Sequence, residues 1–288
     1  MELRVLKYFL MVAREENITK AANLLHVTQP TLSRQMMQLE DELGVKLFHR
    51  GKYHITLTDD GMLLKRRAQE IIDLTDKTVQ EFAQGSGELT GEIAIGCGET
   101  RNMTFLSRKM AAFRKAHPLV RFNIYSAIAD DIKERIEKGI LDIGLFMEPV
   151  DIGKYEFIRL PDKERWGILV RGDSPLAGKD VVTPEDLLGV PLIIGRRELV
   201  ENELANWFGA AFEKADIAAH YNLILNAANM AKNGVGAAVS FEFDISYDEL
   251  KFIPFSPTLE TGAVVAWKKN QTFSQAAAAF IRLIKDSF

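Results

Sequence analysis

Cysteine occurs once in the 288 residues, as Cys97. That excludes an internal disulfide and any zinc cluster assembled from several thiolates. A lone cysteine at the end of an apolar segment reads as a small buried residue or as a redox-sensing thiol, and burial is the usual fate. Long apolar runs are missing too, and none approaches the ~18 residues that a membrane span requires. The opening Met1-Glu2-Leu3-Arg4 is amphipathic and is not followed by an apolar core with a cleavage site, so a cytoplasmic protein with no membrane partner is expected. Charge of one sign is also lacking: the formal net charge is −4, which argues against wholesale electrostatic attraction to nucleic acid. Catalytic signatures are absent, with no Gly-x-Ser-x-Gly elbow, phosphate-binding loop or His-Glu-x-x-His segment, and neither His117 nor His220 has a motif partner. Neither an enzyme nor a cofactor is expected.

What is present is ordinary globular material. The chain is 47% hydrophobic and 26% charged, and its length favours two or three folded units. Residues 3–14 carry Leu3, Leu6, Leu10 and Ala13 at helical spacing. Thr19 is a candidate N-cap for a second helix, in which Ala21 and Ala22 permit close approach. Thr28 is a candidate cap for a third, with Pro30 in the first turn, where a missing N–H costs little. That helix is expected to bury Leu32, Met36, Leu39 and Leu43 and to stop at Gly44. Its outer face presents Gln29, Thr31, Ser33, Arg34 and Gln38, as a helix that enters a major groove requires. Three ordinary packed helices satisfy the periodicity nearly as well.

The next residues bear on that choice. Residues 55–58 alternate as a half-exposed strand, and Gly51 suits a turn before it, giving a wing with Arg50, Lys52 and His54 near its tip. Residues 19–58 hold five basic side chains against three acidic ones, a bias too weak to indicate nucleic acid alone.

The string AANLLHVTQPTLSRQMMQLEDELGVKLFHRGKYHITLTDDG, residues 21–61, resembles the LysR family of bacterial transcriptional regulators. The shared positions include Ala21-Ala22, Leu25, Gln29-Pro30, Leu32-Ser33-Arg34, Leu39-Glu40, Leu43-Gly44, Leu47-Phe48, Arg50, Leu57-Thr58 and Gly61. The resemblance implies a winged helix-turn-helix that binds a double-stranded DNA operator. Gln29, Pro30, Ser33 and Arg34 would meet bases and phosphates, Arg50 would meet the backbone, and Thr31, Lys52, Tyr53 and His54 complete the expected contact set. Tyr53 and Met37 depart from positions that are often basic in the family, which implies fewer phosphate contacts and a shallower salt dependence.

Thr58-Asp59-Asp60 puts a cap and two carboxylates at the start of another helix. Leu64, Ala68, Ile71, Thr75, Thr78 and Phe82 then recur in alternating steps of four and three, the rhythm of a helix seam, before Gly85-Ser86-Gly87 breaks it. Such a helix is expected to pair two copies, because operators usually match a two-fold axis. The resemblance adds a homodimer or homotetramer and possible contact with the transcription machinery.

From residue 91 strands alternate with helices, so an α/β fold with largely parallel sheets is expected. Strands are expected at 92–97, 121–127, 142–146, 166–171, 192–194, 221–225, 236–240 and 263–267. The resemblance implies a two-lobed, periplasmic-binding-protein-like domain holding a small-molecule effector between its lobes. The expected division is 1–58 for the DNA-binding unit, 59–87 for the linker helix and 88–288 for the effector domain. Within the last, the first lobe is 88–161 and 267–288 and the second is 162–266, with crossings at 160–165 and 266–269.

Free N–H groups at strand ends and helix starts suit anions, which singles out Gly98, Glu99 and Thr100. Ser126, Ile128 and Phe146 close neighbouring strands, and the resemblance points to the Thr100 hydroxyl and, on the second lobe, to Arg196 and Asn226. Glu99 reads in two ways: facing the cleft it disfavours a carboxylate ligand, and otherwise it caps a helix. Arg196-Arg197 reads as a partner for an acidic effector or as solvated surface. Two other classes remain beside the regulator: an enzyme on a two-lobed fold, and a binding module acting only through protein partners.

Overall fold

A computed structural model describes residues 1–51, 55–82, 88–243 and 249–288. It divides the chain into two compact units, Met1–Ala83 and Gln84–Phe288.

The first unit begins with three helices, α1 (Leu3–Glu15), α2 (Ile18–Leu24) and α3 (Gln29–Leu43). A two-stranded antiparallel ribbon follows, β1 (Phe48–Arg50) and β2 (Ile55–Leu57), and then the long helix α4 (Asp59–Phe82). Leu6, Phe9 and Val12 from α1, Ala21 and Ala22 from α2, and Leu32, Met36 and Leu39 from α3 form one buried core. Asn17 rather than Thr19 caps α2, its side chain accepting from the Lys20 N–H at 2.9 Å. Thr28 precedes α3 in extended conformation, but its hydroxyl pairs with Thr31 instead of capping the helix.

Leu43 is exposed rather than buried, and Glu40 takes the core position one turn earlier. The Glu40 carboxylate accepts from the N–H of Leu47 at 2.9 Å and of Phe48 at 3.4 Å, and pairs with Lys46. It therefore ties the end of α3 to the first ribbon strand, a use of a buried acid that apolar periodicity does not register. Thr58 caps α4 by accepting from the Gly61 N–H at 2.9 Å. A Cβ at Gly61 would stand 2.1 Å from the Leu47 carbonyl oxygen, so only glycine admits this approach of helix and ribbon.

The helix α4 reaches about 36 Å at 1.5 Å per residue. The sequence assigned Leu64, Ala68 and Ile71 to a seam between copies, but they pack on this unit's own core together with Ile72. The reason is that α1 already lies along that stripe. Apolar side chains exposed on α4 include Leu63 and Leu74, three turns apart on one face.

The second unit contains two sheets. Along the chain the elements are β3 (Gly91–Cys97), α5 (Met103–Ala116), β4 (Val120–Ser126), α6 (Ala129–Glu137), β5 (Ile143–Met147), β6 (Tyr155–Arg159), β7 (Glu164–Arg171), β8 (Pro191–Gly195), α7 (Glu198–Phe208), β9 (Asp216–Tyr221), α8 (Ile224–Lys232), β10 (Ala237–Phe241), β11 (Leu250–Pro254), β12 (Glu260–Thr261), β13 (Ala263–Lys268) and α9 (Gln275–Lys285).

The first lobe is a five-stranded sheet in the order β4-β3-β5-β13-β6, and the second joins β11-β7-β10-β8-β9 with β12 on β7. Both sheets are mixed, because β6 and β13 in one, and β7 and β11 in the other, run antiparallel to their neighbours. The expectation of largely parallel sheets thus holds only for β3, β4 and β5 and for β8, β9 and β10. Strand β3 shows how the layers form: Ile93, Ile95 and Cys97 face α5 and α9, while Ala94 faces α6. The second lobe repeats the plan with α7 on one face and α8 on the other.

The return from second lobe to first falls at Glu260–Thr261 and Gly262, not at 266–269. Residues 263–267 are buried on both faces inside the first sheet, between β5 and β6, and the charge of Lys268-Lys269 marks only the end of that strand. A second difference lies at 221–225: the strand β9 stops at Tyr221, and Ile224 already opens α8.

Candidate functional site

The helix α3 is buried along one stripe and open along the other. Gln29, Pro30, Thr31 and Arg34 are exposed and Ser33 is half-buried, so five predicted contact residues share a continuous outward surface. Among the described residues the Arg34 guanidinium has no ion-pair partner, which leaves it available to a phosphate or a guanine edge. Arg50 ends β1. Lys52, Tyr53 and His54 lie outside the described residues.

The second unit places a cavity of about 120 Å³ between its two sheets. The ends of the parallel strands of both lobes face each other across it, the usual position for a ligand in such sheets. From the first lobe come Gly98 and Glu99 after β3, Ile128 before α6, and Phe146 on β5. From the second come Arg196 and Arg197 between β8 and α7, Tyr221 and Asn222 after β9, Ile224 opening α8, and Ser240 and Phe241 on β10. Trp166 on β7 forms part of the floor, its ring edge-on to Phe241 and its indole N–H donating to Thr261 at 2.7 Å.

Of the eight predicted ligand residues, Gly98, Glu99, Ile128, Phe146 and Arg196 meet at this cavity. Thr100, Ser126 and Asn226 do not line it. Thr100 is buried, and its hydroxyl donates to the Glu164 carboxylate at the start of the crossing strand β7. The same Glu164 oxygen accepts from the Asn102 backbone N–H at 3.0 Å and from its side chain at 2.7 Å. Thr100 is thus committed to the joint between the lobes. Ser126 and Asn226 are exposed, one ending an edge strand and one on the outer side of α8.

Glu99 faces the cleft, the first of the two readings that the sequence offered, and lines its wall. It does not cap the helix that follows it. Its Oε2 accepts from the backbone N–H of Ile224, the first residue of α8 on the opposite lobe. A carboxylate there meets the positive end of the helix dipole, so Glu99 bridges the cleft by charge as well as by hydrogen bond. A second bridge runs the other way, from Arg197 Nη2 to the Pro149 carbonyl at 3.2 Å.

Cys97, two residues before Glu99, is buried, and desolvation with the nearby Glu99 charge pushes its thiol up from the ordinary value. That is the environment of an inert structural thiol. Among the described residues no group of His, Cys, Asp and Glu side chains is arranged to hold a metal, and no helix is long and apolar enough to cross a membrane.

Comparison with known families agrees with this division. Residues 3–62 match the bacterial regulatory helix-turn-helix protein, lysR family, and residues 86–288 match the LysR substrate binding domain. The chain belongs to the LysR family. It is a DNA-binding transcriptional regulator with a substrate-binding domain for an effector. Its relatives include the Hca operon transcriptional activator HcaR of Escherichia coli, 28% identical over 99% of this chain and 98% of that one. The HTH-type transcriptional regulator BsdA of Bacillus subtilis is 30% identical over 83% of each. Among solved structures, full-length CbnR complexed with its target DNA shares 24% identity and superposes with a TM-score of 0.78 over the whole of both chains, a likeness of fold.

Within this LysR-type chain the sequence missed Arg197, Tyr221, Ser240 and Trp166 as cavity residues. Arg197 had been weighed only as one of an arginine pair. The other three sit within apolar strands whose pattern reads as core, and no local signal separates a cavity wall from a packed interior.

Proposed function

We propose that α3 reads an operator and that closure of the two lobes around a small effector controls how the chain occupies it. Gln29, Pro30, Thr31, Ser33 and Arg34 contact bases and phosphates, and Arg50, Lys52, Tyr53 and His54 rest on the backbone beside them. Gly98, Glu99, Ile128, Phe146 and Arg196 surround the effector, joined by Arg197, Tyr221 and Ser240. The observation that carries the switch is the pair of bridges across the cleft, Glu99 to Ile224 and Arg197 to Pro149. A ligand that lengthens or replaces either bridge has different free energies in the open and closed forms, as any switch requires.

Two copies pair through α4, which exposes Leu63 and Leu74, and the assembly works in the cytoplasm without catalytic activity of its own. Sedimentation of the full chain is expected to give a dimer or tetramer, and a monomer at all concentrations would refute the pairing. Footprinting on DNA upstream of the chain's own gene, at several salt concentrations, tests the operator reading. A protected dyad that weakens as salt rises is expected. No protection at any salt would favour a module that acts through protein partners.

A further inference from the structure

One side chain on the outward stripe of α3 carries neither a charge nor a strong hydrogen-bonding group. Met37 is 42% exposed and stands outside the buried core of the first unit. It follows Arg34 by three residues, Ser33 by four and Pro30 by seven, so helical pitch puts all four on one stripe. A helical side chain leans toward the N-terminus, which carries Met37 back over the turn that presents Ser33 and Arg34. The polar residues to either side are already partly engaged: Thr31 shares a hydrogen bond with Thr28 at 2.8 Å, and Gln38 accepts from Gln35 at 3.1 Å. Asp41, four residues further along the stripe, is an exposed acid that phosphates repel, so close approach to a duplex ends near Met37.

A methionine in that place has nothing to offer a phosphate. It gains free energy in a groove by covering apolar surface, and the apolar group that a base edge presents in the major groove is the thymine C5-methyl. Three rotatable bonds let its thioether end settle on that methyl from a range of approach angles. Resting on the operator reading above, we infer that Met37 is a specificity-determining residue that selects thymine at one position of each operator half-site. Three residues of helix rise by about 4.5 Å and successive base pairs by ~3.4 Å, which puts that thymine within about two base pairs of the base that Arg34 contacts. The preference for thymine is about fourfold per half-site, the effect of burying one methyl-sized group.

The test uses the full chain and a pool of duplexes randomised in sequence. Retained duplexes are sequenced, the base read by Arg34 is located as the one whose preference Arg34→Ala abolishes, and each thymine of the recovered site is replaced singly by deoxyuridine, which removes only the C5-methyl. Affinities are measured at fixed salt for the unsubstituted chain, Met37→Ala and Met37→Lys. In the unsubstituted chain one deoxyuridine is expected to cost about fourfold, and about fifteenfold when both half-sites carry it. The Met37→Ala chain is expected to bind thymine DNA more weakly to the same degree, to be indifferent to deoxyuridine, and to keep its melting temperature, since the side chain stands outside the core. The Met37→Lys chain is expected to lose the thymine preference and to show a log affinity that falls more steeply with log salt, by about 0.9 per half-site, because a cation there reaches a phosphate. Deoxyuridine sensitivity that survives Met37→Ala would overturn the assignment, as would a recovered site with no thymine within reach of the Arg34 contact. An unchanged salt slope in Met37→Lys would place the residue off the duplex and overturn it too. Each of those results leaves operator binding intact. A chain that retains no duplex from the pool at any salt would overturn the operator reading and this inference together.

Discussion

The outward face of α3 and the cleft of the second unit are the two proposed binding surfaces, and they are assembled in opposite ways. The five proposed contact residues of α3 fall within one helix, Gln29 to Arg34, and their shared orientation follows from helical pitch. The cleft draws on strand ends and helix starts from Gly98 to Phe243, and its two bridges join residues 125 and 48 positions apart. A surface built on one element survives small movements of its surroundings, because its residues move together. A surface built on two lobes changes whenever the lobes move. The first suits constant reading of DNA and the second suits a sensor.

Substitutions can break or sharpen that contrast. The largest effect is expected from Gly61→Val, since any Cβ there would sit 2.1 Å from a backbone oxygen that cannot give way. We expect a loss of about 3 kcal/mol, read by urea unfolding of the first unit, together with loss of DNA binding. Normal stability would mean that the helix and ribbon are not tightly apposed.

Arg34→Ala comes next. It is expected to weaken operator binding by about 1–3 kcal/mol, roughly 5- to 150-fold, with the melting temperature unchanged. Unchanged affinity at fixed salt would remove Arg34 from the recognition surface.

Glu40→Gln probes the support beneath that surface and is expected to cost about 1–2 kcal/mol. Desolvation raises the pKa of the Glu40 carboxyl, but the Leu47 N–H, Lys46 and the Phe48 N–H together outweigh it and hold it below the ordinary value. Its contribution is therefore complete above the unfolded pKa of about 4.3 and is lost as pH falls through the lower folded value. Unfolding curves of the two proteins are expected to converge in acid and separate toward neutrality, and a constant gap from acid to neutral pH would contradict the pairing.

The smallest effect belongs to Glu99→Gln. The amide still offers an oxygen to Ile224 but lacks the charge that favours a helix N-terminus, a difference of about 0.3–1 kcal/mol. Hydrogen exchange at the Ile224 amide is expected to quicken about two- to fivefold, whereas equal rates would show that the bridge does not hold the lobes.

Legibility followed the same division. The helix-turn-helix was readable because its apolar stripe, Leu32, Met36 and Leu39, is local in sequence and periodic. Its errors were errors of competition. Asn17 offered a better cap than Thr19, Glu40 displaced Leu43 from the core, and α1 claimed the α4 stripe that looked like a seam between copies. In the second unit most strands and helices were visible, but the run at 263–267 looks the same whether it leads out of the sheet or lies within it.

By itself the sequence determined most of the helices and strands, which helix face is polar, and the family signature in residues 21–61, since each depends on near neighbours along the chain. Only the tertiary structure decided that Glu99 reaches Ile224, that Thr100 is spent on Glu164, and that Arg197 reaches the Pro149 carbonyl. Burial and pairing of a charge depend on what the fold brings beside it, and those neighbours lie dozens of residues away.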